Sequence, residues 1–391
     1  MGTTTLRGTI VTPAEVIKDG VLAFDGGAIT WVGPAEDWTG PEPEVVAGYL
    51  LPGLVDVHCH GGGGVGFPDA TSADEVRTAI AEHLRRGTTS LVASLVTDAP
   101  ERLREQVRLL ASVPELAGIH LEGPFLSDDR AGAQNRAFLR PGDPQLLADL
   151  IDIADGRVVT STLAPEVDGS DELCDVLIDA GALPSFGHTA ASLERTEQAI
   201  AHVRERLAAV GAQRRRPTVT HLFNAMPPMQ HRDPGPVPAF LVAASRGDVV
   251  VELIGDGVHV APGMLRAMFE LLGSGSICLV TDAISATGSA EGTYELGGVD
   301  VIVADGVARL ASTGALAGST SHLLDSVRVC VAAGVPLAVA VRAATLTPAE
   351  ILERDDLGRL FPGARADVVV VDADFRPLRV FKDGSPVAGV R

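Results

Sequence analysis

Two histidines one residue apart end an apolar run and precede four consecutive glycines. They are His58 and His60, and the run before them begins at Leu54. Because side chains alternate between the two faces of a strand, both imidazoles project from the same face. Imidazoles that converge where a strand ends are typical ligands of a divalent metal ion. The pair therefore predicts half of a metal site.

Four other strand ends carry side chains of matching chemistry. Apolar runs lead directly into Glu122, His188, His221 and Asp282. Imidazole and carboxylate ligands suit Zn²⁺, Fe²⁺, Mn²⁺ or Co²⁺. Taken singly, such a residue is more often a hydrogen-bonded core histidine or a helix N-cap. Their common position at strand ends instead predicts one metal centre, while His120 receives no role.

Short apolar runs alternate with longer amphipathic segments through the middle of the chain. Eight candidate strands begin near Leu54, Thr88, Ala117, Arg157, Leu183, Pro217, Asp248 and Ser276. Amphipathic segments such as 73–86 and 193–207 separate them. Eight strand–helix units, about 30 residues apart, predict an α/β fold of the (β/α)8 TIM-barrel type, with its chemistry at the carboxyl ends of the strands. A doubly wound open sheet is the alternative, but no glycine-rich phosphate motif follows the first strand.

Both ends of the chain alternate short β-like runs with turns. The runs cover residues 6–11, 21–24, 28–32, 367–371 and 378–381. Two similar tripeptides, 18–20 and 382–384, are predicted to form hairpin turns. We expect one small β-sandwich made from both ends, with independent terminal caps as the alternative. The expected domains are 1–50 and 355–391 for the two parts of this sandwich and 51–354 for the barrel.

Three long connections interrupt the strand–helix pattern, at 123–142, 222–240 and 284–314. Loops of this length in a compact domain are usually functional. We therefore expect them to contribute to the site.

Composition restricts the partners. Apolar residues make up 46% and aromatic residues 4% of the 391 residues, which suits a packed α/β protein. The formal net charge of −20 argues against nucleic acid and anionic membranes. Without an apolar stretch of about 20 residues or a secretory leader, a cytoplasmic protein is expected. The four scattered cysteines are expected to be reduced and buried.

Several motifs resemble those of the amidohydrolase superfamily and, within it, the N-acetylglucosamine-6-phosphate deacetylase branch. In family order, they lie at 52–60, 120–125, 187–189, 221–226, 256–259, 281–283 and 316–319. The resemblance implies a distorted TIM barrel with a β-sandwich, usually a homodimer. It also implies hydrolysis of N-acetyl-D-glucosamine 6-phosphate to D-glucosamine 6-phosphate and acetate. The alternatives are a deacetylase of N-acetylgalactosamine 6-phosphate or another N-acyl compound, and a catalytically retired scaffold.

The resemblance implies a ligand set for one or two divalent ions. Glu122, His188 and His221 would hold the principal ion. His58 and His60 would hold a second ion, bridged to the first by Glu122 and with Asp282 nearby. Some members of the family lack this histidine pair and use one metal, so this chain is expected to have capacity for two.

The resemblance also implies roles in catalysis and substrate binding. Asp282 would take a proton from the metal-bound water and deliver it to the departing amine. Arg232 would contact the phosphate. The other substrate contacts would come from Asn224, Ala225, His259, Leu316 and Gln134. In this last position the family usually has a histidine, and a glutamine amide can donate to a developing oxyanion without carrying a charge.

The lysine content excludes one kind of metal bridge. The only lysines are Lys18 and Lys382, near opposite ends of the chain. Many amidohydrolases bridge two metals with a carboxylated lysine on a barrel strand; here, the resemblance to the deacetylase branch implies that Glu122 serves instead. Activities like those of dihydroorotase, hydantoinase and urease are therefore disfavoured.

Overall fold

The computed structural model describes residues 2–390. Its strands are β1 (Thr4–Val11), β2 (Val16–Asp25), β3 (Ala28–Pro34), β4 (Glu44–Pro52), β5 (Leu54–Cys59), β6 (Gly61–Gly62), β7 (Val65–Gly66), β8 (Thr88–Leu95), β9 (Gly118–Glu122), β10 (Val158–Leu163), β11 (Leu183–Phe186), β12 (Thr218–Val219), β13 (Val250–Ile254), β14 (Ile277–Val280), β15 (Gly292–Leu296), β16 (Val299–Ala304), β17 (Val307–Leu310), β18 (Val368–Val371), β19 (Pro377–Lys382) and β20 (Ser385–Pro386). Its α-helices are α1 (Ala73–Arg85), α2 (Pro100–Ala111), α3 (Pro144–Ile153), α4 (Ser170–Asp179), α5 (Leu193–Ala209), α6 (Val237–Ser245), α7 (Pro262–Leu272), α8 (Leu323–Ala332), α9 (Leu337–Ala343) and α10 (Leu346–Ile351). Within this range no helix combines the length and the apolarity that a bilayer crossing requires.

Eight parallel strands form the central sheet, in the order β5-β8-β9-β10-β11-β12-β13-β14. Each begins within two residues of its predicted position. A parallel bridge joins Cys59 of the first strand to Ala283, three residues after the last strand, and the His60 N–H donates to the Ala283 carbonyl at 2.7 Å. The sheet is therefore nearly closed, and the predicted TIM barrel is confirmed.

The alternation of side chains in β5 decides which residues face the site. Val55, Val57 and Cys59 belong to the large apolar core, while Asp56 and His58 lie on the opposite face of the strand. All four cysteines of the chain are buried and unpaired, as predicted. Helices such as α1 cover the barrel with their apolar faces. Ser72 caps the N-terminus of α1, since its hydroxyl accepts the N–H of the third helical residue.

The two ends of the chain share one seven-stranded sheet, in the order β20-β19-β18-β4-β1-β2-β3. Although β19 and β2 are not neighbours in this order, Phe381 and Phe24 pack edge-to-face with ring centroids 5.1 Å apart. A separate apolar core, which includes Leu6, Leu50 and Val370, lies in the same unit. The sheet therefore folds over itself, as expected for a sandwich formed by both ends.

One of the two predicted terminal turns is wrong. Residues 18–20 lie inside β2, where Gly20 pairs with Gly8 of β1 and the register shifts at residues 18–19. The turn between these strands is instead at 12–15, where the Thr12 hydroxyl accepts the Glu15 N–H at 3.0 Å and Pro13 restricts the backbone. The second tripeptide, 382–384, does form the turn between β19 and β20.

The long connection after β14 contains structure that the sequence did not predict. Strands β15–β17 form an antiparallel sheet with its own small core around Val301, Val303 and Leu310. Val96 and Ile284 pack in the same core and attach this sheet to the barrel. The connection is therefore a folded cover over one side of the barrel rather than an open loop.

Candidate metal centre and active-site cavity

The predicted strand-end residues meet at the carboxyl end of the barrel. The Nε2 atoms of His58 and His60 are 3.1 Å apart, and those of His188 and His221 are also 3.1 Å apart. All four side chains are buried. Residues that lie up to 163 positions apart in the sequence thus converge on one point, as the strand assignment predicted.

Glu122 lies between the two histidine pairs. Its Oε1 is 3.0 Å from Nε2 of both His188 and His221, and its Oε2 is 3.2 Å from Nε2 of His60. We name Glu122, His188 and His221 the principal triad, and His58, His60 and Glu122 the second triad. Both have the ligand types and the spacing of a metal site.

Asp282 faces the second triad. Its Oδ1 is 3.5 Å from Nε2 of His58 and 3.3 Å from Nε2 of His60. Burial favours the neutral acid, but the two histidines nevertheless lower the pKa of Asp282 to about 2. Its carboxylate is therefore ionised, as a proton acceptor must be.

The hydrogen bonds behind two imidazoles determine which nitrogen holds the proton. His188 donates its Nδ1–H to the Arg130 carbonyl at 2.9 Å, and His58 donates its Nδ1–H to the Glu252 carboxylate at 3.0 Å. In the neutral rings, each Nε2 then presents a lone pair towards Glu122, which has only lone pairs to offer. Such acceptors converge favourably around a cation, so the donor set fits a divalent metal ion.

The electrostatics of the site point the same way. Burial raises the pKa of Glu122, but hydrogen bonds from the principal-triad histidines bring it well below its usual value. Burial lowers the pKa of His58, but Asp282 and the other nearby carboxylates raise it to about 10. The carboxylates therefore create a strongly negative local potential, which stabilises a positive charge at this site.

The backbone is strained at three of these residues. His188, His221 and Asp282 have φ values of 47°, 29° and 50°, in the left-handed region that residues with a Cβ rarely adopt. Each such residue costs about 1–3 kcal/mol and persists only where the surrounding fold holds it. The strain directs three side chains from strand ends into one site.

A cavity of about 270 Å³ opens beside the two triads. Five of the six predicted substrate contacts line it: Gln134, Asn224, Ala225, His259 and Leu316. The sixth, Arg232, is exposed on the loop before α6 and is not part of the lining. The connections at 123–142, 222–240 and 284–314 all contribute to the walls, in agreement with their predicted role.

The amidohydrolase family matches residues 49–387 of this chain. The chain belongs to the amidohydrolase family. A protein named N-acetylglucosamine-6-phosphate deacetylase from Bacillus subtilis (strain 168) is 37% identical over 336 residues, which cover 82% of this chain and 80% of that protein. The Homo sapiens protein of the same name is 36% identical over 342 residues, covering 83% of this chain and 79% of the relative.

A solved structure from Mycobacterium smegmatis is similar over the full length of this amidohydrolase. It is an aspartate-to-alanine mutant of N-acetyl-D-glucosamine-6-phosphate deacetylase in complex with N-acetyl-D-glucosamine-6-phosphate. The TM-score is 0.92 and the sequence identity 39%, covering 99% of this chain and 100% of the other. The resemblance to the deacetylase branch is therefore confirmed.

In this amidohydrolase, Gln134 has a partner that the sequence did not reveal. Its Nε2 donates to Oε2 of Glu122 at 2.8 Å, and its Oε1 accepts the Thr97 N–H at 2.7 Å. The amide is thus oriented from behind and holds the carboxylate that both triads share. The predicted donor to an oxyanion is engaged with Glu122 in this structure.

At the cavity wall, Asp256 orients the imidazole of His259 and favours its cationic form, which can bind an anion. Its Nδ1 contacts Oδ2 of Asp256 at 2.7 Å, and Oδ1 of Asp256 accepts the backbone N–H of His259 at 2.8 Å. Burial lowers the pKa of His259, but the hydrogen bond to Asp256 raises it above the ordinary value. This imidazole therefore favours the cationic form, which suits contact with a phosphate.

Two buried carboxylates near the ligands were missed. Oδ2 of Asp56 accepts the Thr281 hydroxyl at 2.6 Å, and burial raises the pKa of Asp56 to about 6. Glu252, in the otherwise apolar β13, is the partner of His58. A signal was available: Asp56 is two residues before His58, on the same strand face, and a lone carboxylate in a buried strand requires a partner.

Two other histidines near the site do not fit as ligands. The nitrogens of His120 contact the hydroxyls of Ser94 at 2.9 Å and Thr162 at 2.7 Å, so both are occupied. His83 lies near Cys59 and donates its Nε2–H to the Gly61 carbonyl at 2.8 Å. That proton leaves no lone pair on Nε2 for a metal.

Proposed function

We propose that this amidohydrolase is a metal-dependent deacetylase. It hydrolyses N-acetyl-D-glucosamine 6-phosphate to D-glucosamine 6-phosphate and acetate, a step of amino-sugar catabolism. The observation that carries this proposal is the pair of triads sharing Glu122, next to the ionised Asp282 in one cavity. The names of the relatives, and the sugar phosphate bound by the Mycobacterium smegmatis neighbour, support the choice of substrate.

The proposed cofactor is one or two divalent ions, held by the principal and second triads. Zinc is the metal that we propose, with iron, manganese or cobalt as alternatives, since imidazole and carboxylate ligands suit all four. A bound ion would lower the pKa of a water molecule and polarise the acetyl carbonyl.

Asp282 is the proposed catalytic residue. Its ionised carboxylate takes the proton of the attacking water and then transfers it to the nitrogen of the departing amine. The backbone N–H of Asp282 donates to the His58 carbonyl at 2.9 Å, which fixes the strand end that presents the side chain. The amide bond breaks after the proton reaches nitrogen, and acetate and the free amine result.

The proposed substrate contacts surround the cavity. His259 offers a cationic imidazole, Asn224 an amide and Ala225 a backbone N–H, all to the sugar or its phosphate. Leu316 forms an apolar part of the wall. Arg232, on its exposed loop, is the proposed phosphate contact from outside the lining.

We also propose the predicted domain boundaries of 1–50, 51–354 and 355–391. The terminal sheet supports them: its first part ends with β4, two residues past the first boundary, and it resumes with β18. A cytoplasmic homodimer remains the proposed state.

The decisive experiment is an acetate-release assay on purified, metal-reconstituted protein. The expected result is a higher kcat/KM for N-acetylglucosamine 6-phosphate than for the galactosamine epimer, and loss of acetate release after chelation. An Arg232→Ala variant should raise KM with little change in kcat. Stoichiometric metal without acetate release from either sugar phosphate would contradict the proposal and favour a scaffold.

A further inference from the structure

Glu252 connects the two triads from behind. It is buried in β13, and its Oε2 accepts two hydrogen bonds. One comes from Nδ1 of His58 at 3.0 Å, and the other from the backbone N–H of His221 at 3.3 Å. These histidines belong to different triads, so a single carboxylate oxygen contacts both halves of the centre.

Within the second triad, no other residue between 2 and 390 gives the support that Glu252 gives. The Nδ1 atoms of His60 and His221 are buried and have no hydrogen-bond partner in this range. Within the second triad, His58 is therefore the histidine whose ring is held through Nδ1. A carboxylate at that position sets the tautomer of the imidazole and increases its basicity as a ligand.

Glu252 also stabilises a strained turn. Its backbone carbonyl accepts the Leu222 N–H at 2.9 Å, while its side chain accepts the N–H of His221. His221 has a φ of 29°, which the backbone adopts only when its surroundings impose it. The backbone carbonyl and the side-chain carboxylate of Glu252 thus both hold the turn that directs His221 towards Glu122.

We propose that Glu252 is a positioning residue that couples the two metal subsites. Through the ring of His58 it prepares the second triad, and through the backbone of His221 it aligns the principal triad. The second triad depends on it more strongly, because the His58 contact orients a ligand ring directly. This inference rests on the metal centre proposed above.

The test measures metal binding rather than turnover alone. Metal-free protein is titrated with Co²⁺, and the number of ions, their affinities and the visible absorption of each site are recorded. Glu252→Met removes both hydrogen bonds at similar length, and Glu252→Gln keeps an oxygen that accepts them without the charge. Glu82→Gln is the matched control, since Glu82 contacts His322 at the same 3.0 Å in another buried carboxylate–histidine pair.

In Glu252→Met, we expect the affinity of the second ion to fall about 10–100-fold and that of the principal ion to fall less. Glu252→Gln should show a smaller loss of the same kind, and Glu82→Gln none. A loss confined to one subsite, or two ions bound with unchanged affinity, would overturn the coupling alone. Wild-type protein that binds no ion would overturn the metal centre and the coupling with it. Melting temperatures of the metal-free variants establish that each remains folded.

Discussion

The buried carboxylates of two regions of this molecule have opposite kinds of partner. At the seam between the barrel and the terminal sheet, Asp367 is paired with Arg365, whose Nε donates to Oδ1 at 2.9 Å and whose Nη2 donates to Oδ2. At the carboxyl end of the barrel, Glu122, Glu252 and Asp282 are also buried. There, the hydrogen-bond and ion-pair partners found within residues 2–390 are imidazoles, one amide and backbone N–H groups.

The difference separates a structural charge from a functional one. Arginine remains charged under all ordinary conditions, so the seam is neutralised permanently. An imidazole can instead give up its proton and coordinate a metal. The carboxyl end of the barrel, called the mouth below, therefore keeps an excess of negative charge on its carboxylates, which a divalent cation can neutralise. The seam keeps no such excess.

The largest expected effect is at the mouth. Asp282→Asn removes the proton acceptor but keeps the size of the side chain, so kcat should fall by about 10²–10⁴-fold with metal content unchanged. Steady-state acetate release and metal analysis measure the two quantities. Asp367→Asn is the matched change at the seam and should leave kcat intact. Near-normal turnover of Asp282→Asn would contradict its assignment as the base.

A change at the seam should instead lower the free energy of unfolding. Arg365→Ala leaves the buried Asp367 without its cation, which is expected to lower the free energy of unfolding by about 3 kcal/mol. Urea unfolding measures this loss. The control is Arg379→Ala, at the exposed pair with Glu44, where a loss under about 1 kcal/mol is expected. Equal losses in the two variants would remove the distinction between the seam and an ordinary surface pair.

A permanent cation placed in the mouth should compete with the metal. Gln134→Lys brings an ammonium group next to Glu122, and unit charges about 4 Å apart interact by several kcal/mol in such surroundings. We expect metal affinity at least about tenfold below that of Gln134→Met, which has similar length and no charge. Calorimetric titration with the metal compares them. Equal affinities would show that the mouth does not lack positive charge.

The smallest expected effect concerns pH. The pKa of His259 is raised above the ordinary 6.5, so its cationic form persists to higher pH and is lost as the pH rises through the raised value. KM for the sugar phosphate should therefore increase by about tenfold or less across that range. Unphosphorylated N-acetylglucosamine serves as the control substrate, and a similar increase for it would exclude a phosphate contact. His259→Asn should abolish the increase.

The barrel was predictable because its signals are local. Burial on both faces makes each strand a short apolar run, and strand ends are followed by polar residues such as Glu122 and His188. The parallel arrangement then places all the carboxyl ends together, so the ligand set could be assembled before the structure was known.

What the sequence did not show concerns positions where distant residues decide. Residues 18–20 have a turn-like composition, but pairing with β1 extends the strand through them. The orientation of Gln134 depends on Thr97, and the exposure of Arg232 depends on how its loop leaves the barrel. No local pattern contains these contacts.

By itself, the sequence determined the barrel, the six candidate residues at its strand ends and the absence of a lysine between β2 and β19. Periodicity, burial and residue type are properties of short segments, and they suffice for these conclusions. Only the tertiary structure decided that Glu252 stands behind both triads and how close Glu122 and Asp282 lie to their histidines. These are distances between residues on different strands, and closure of the barrel sets them.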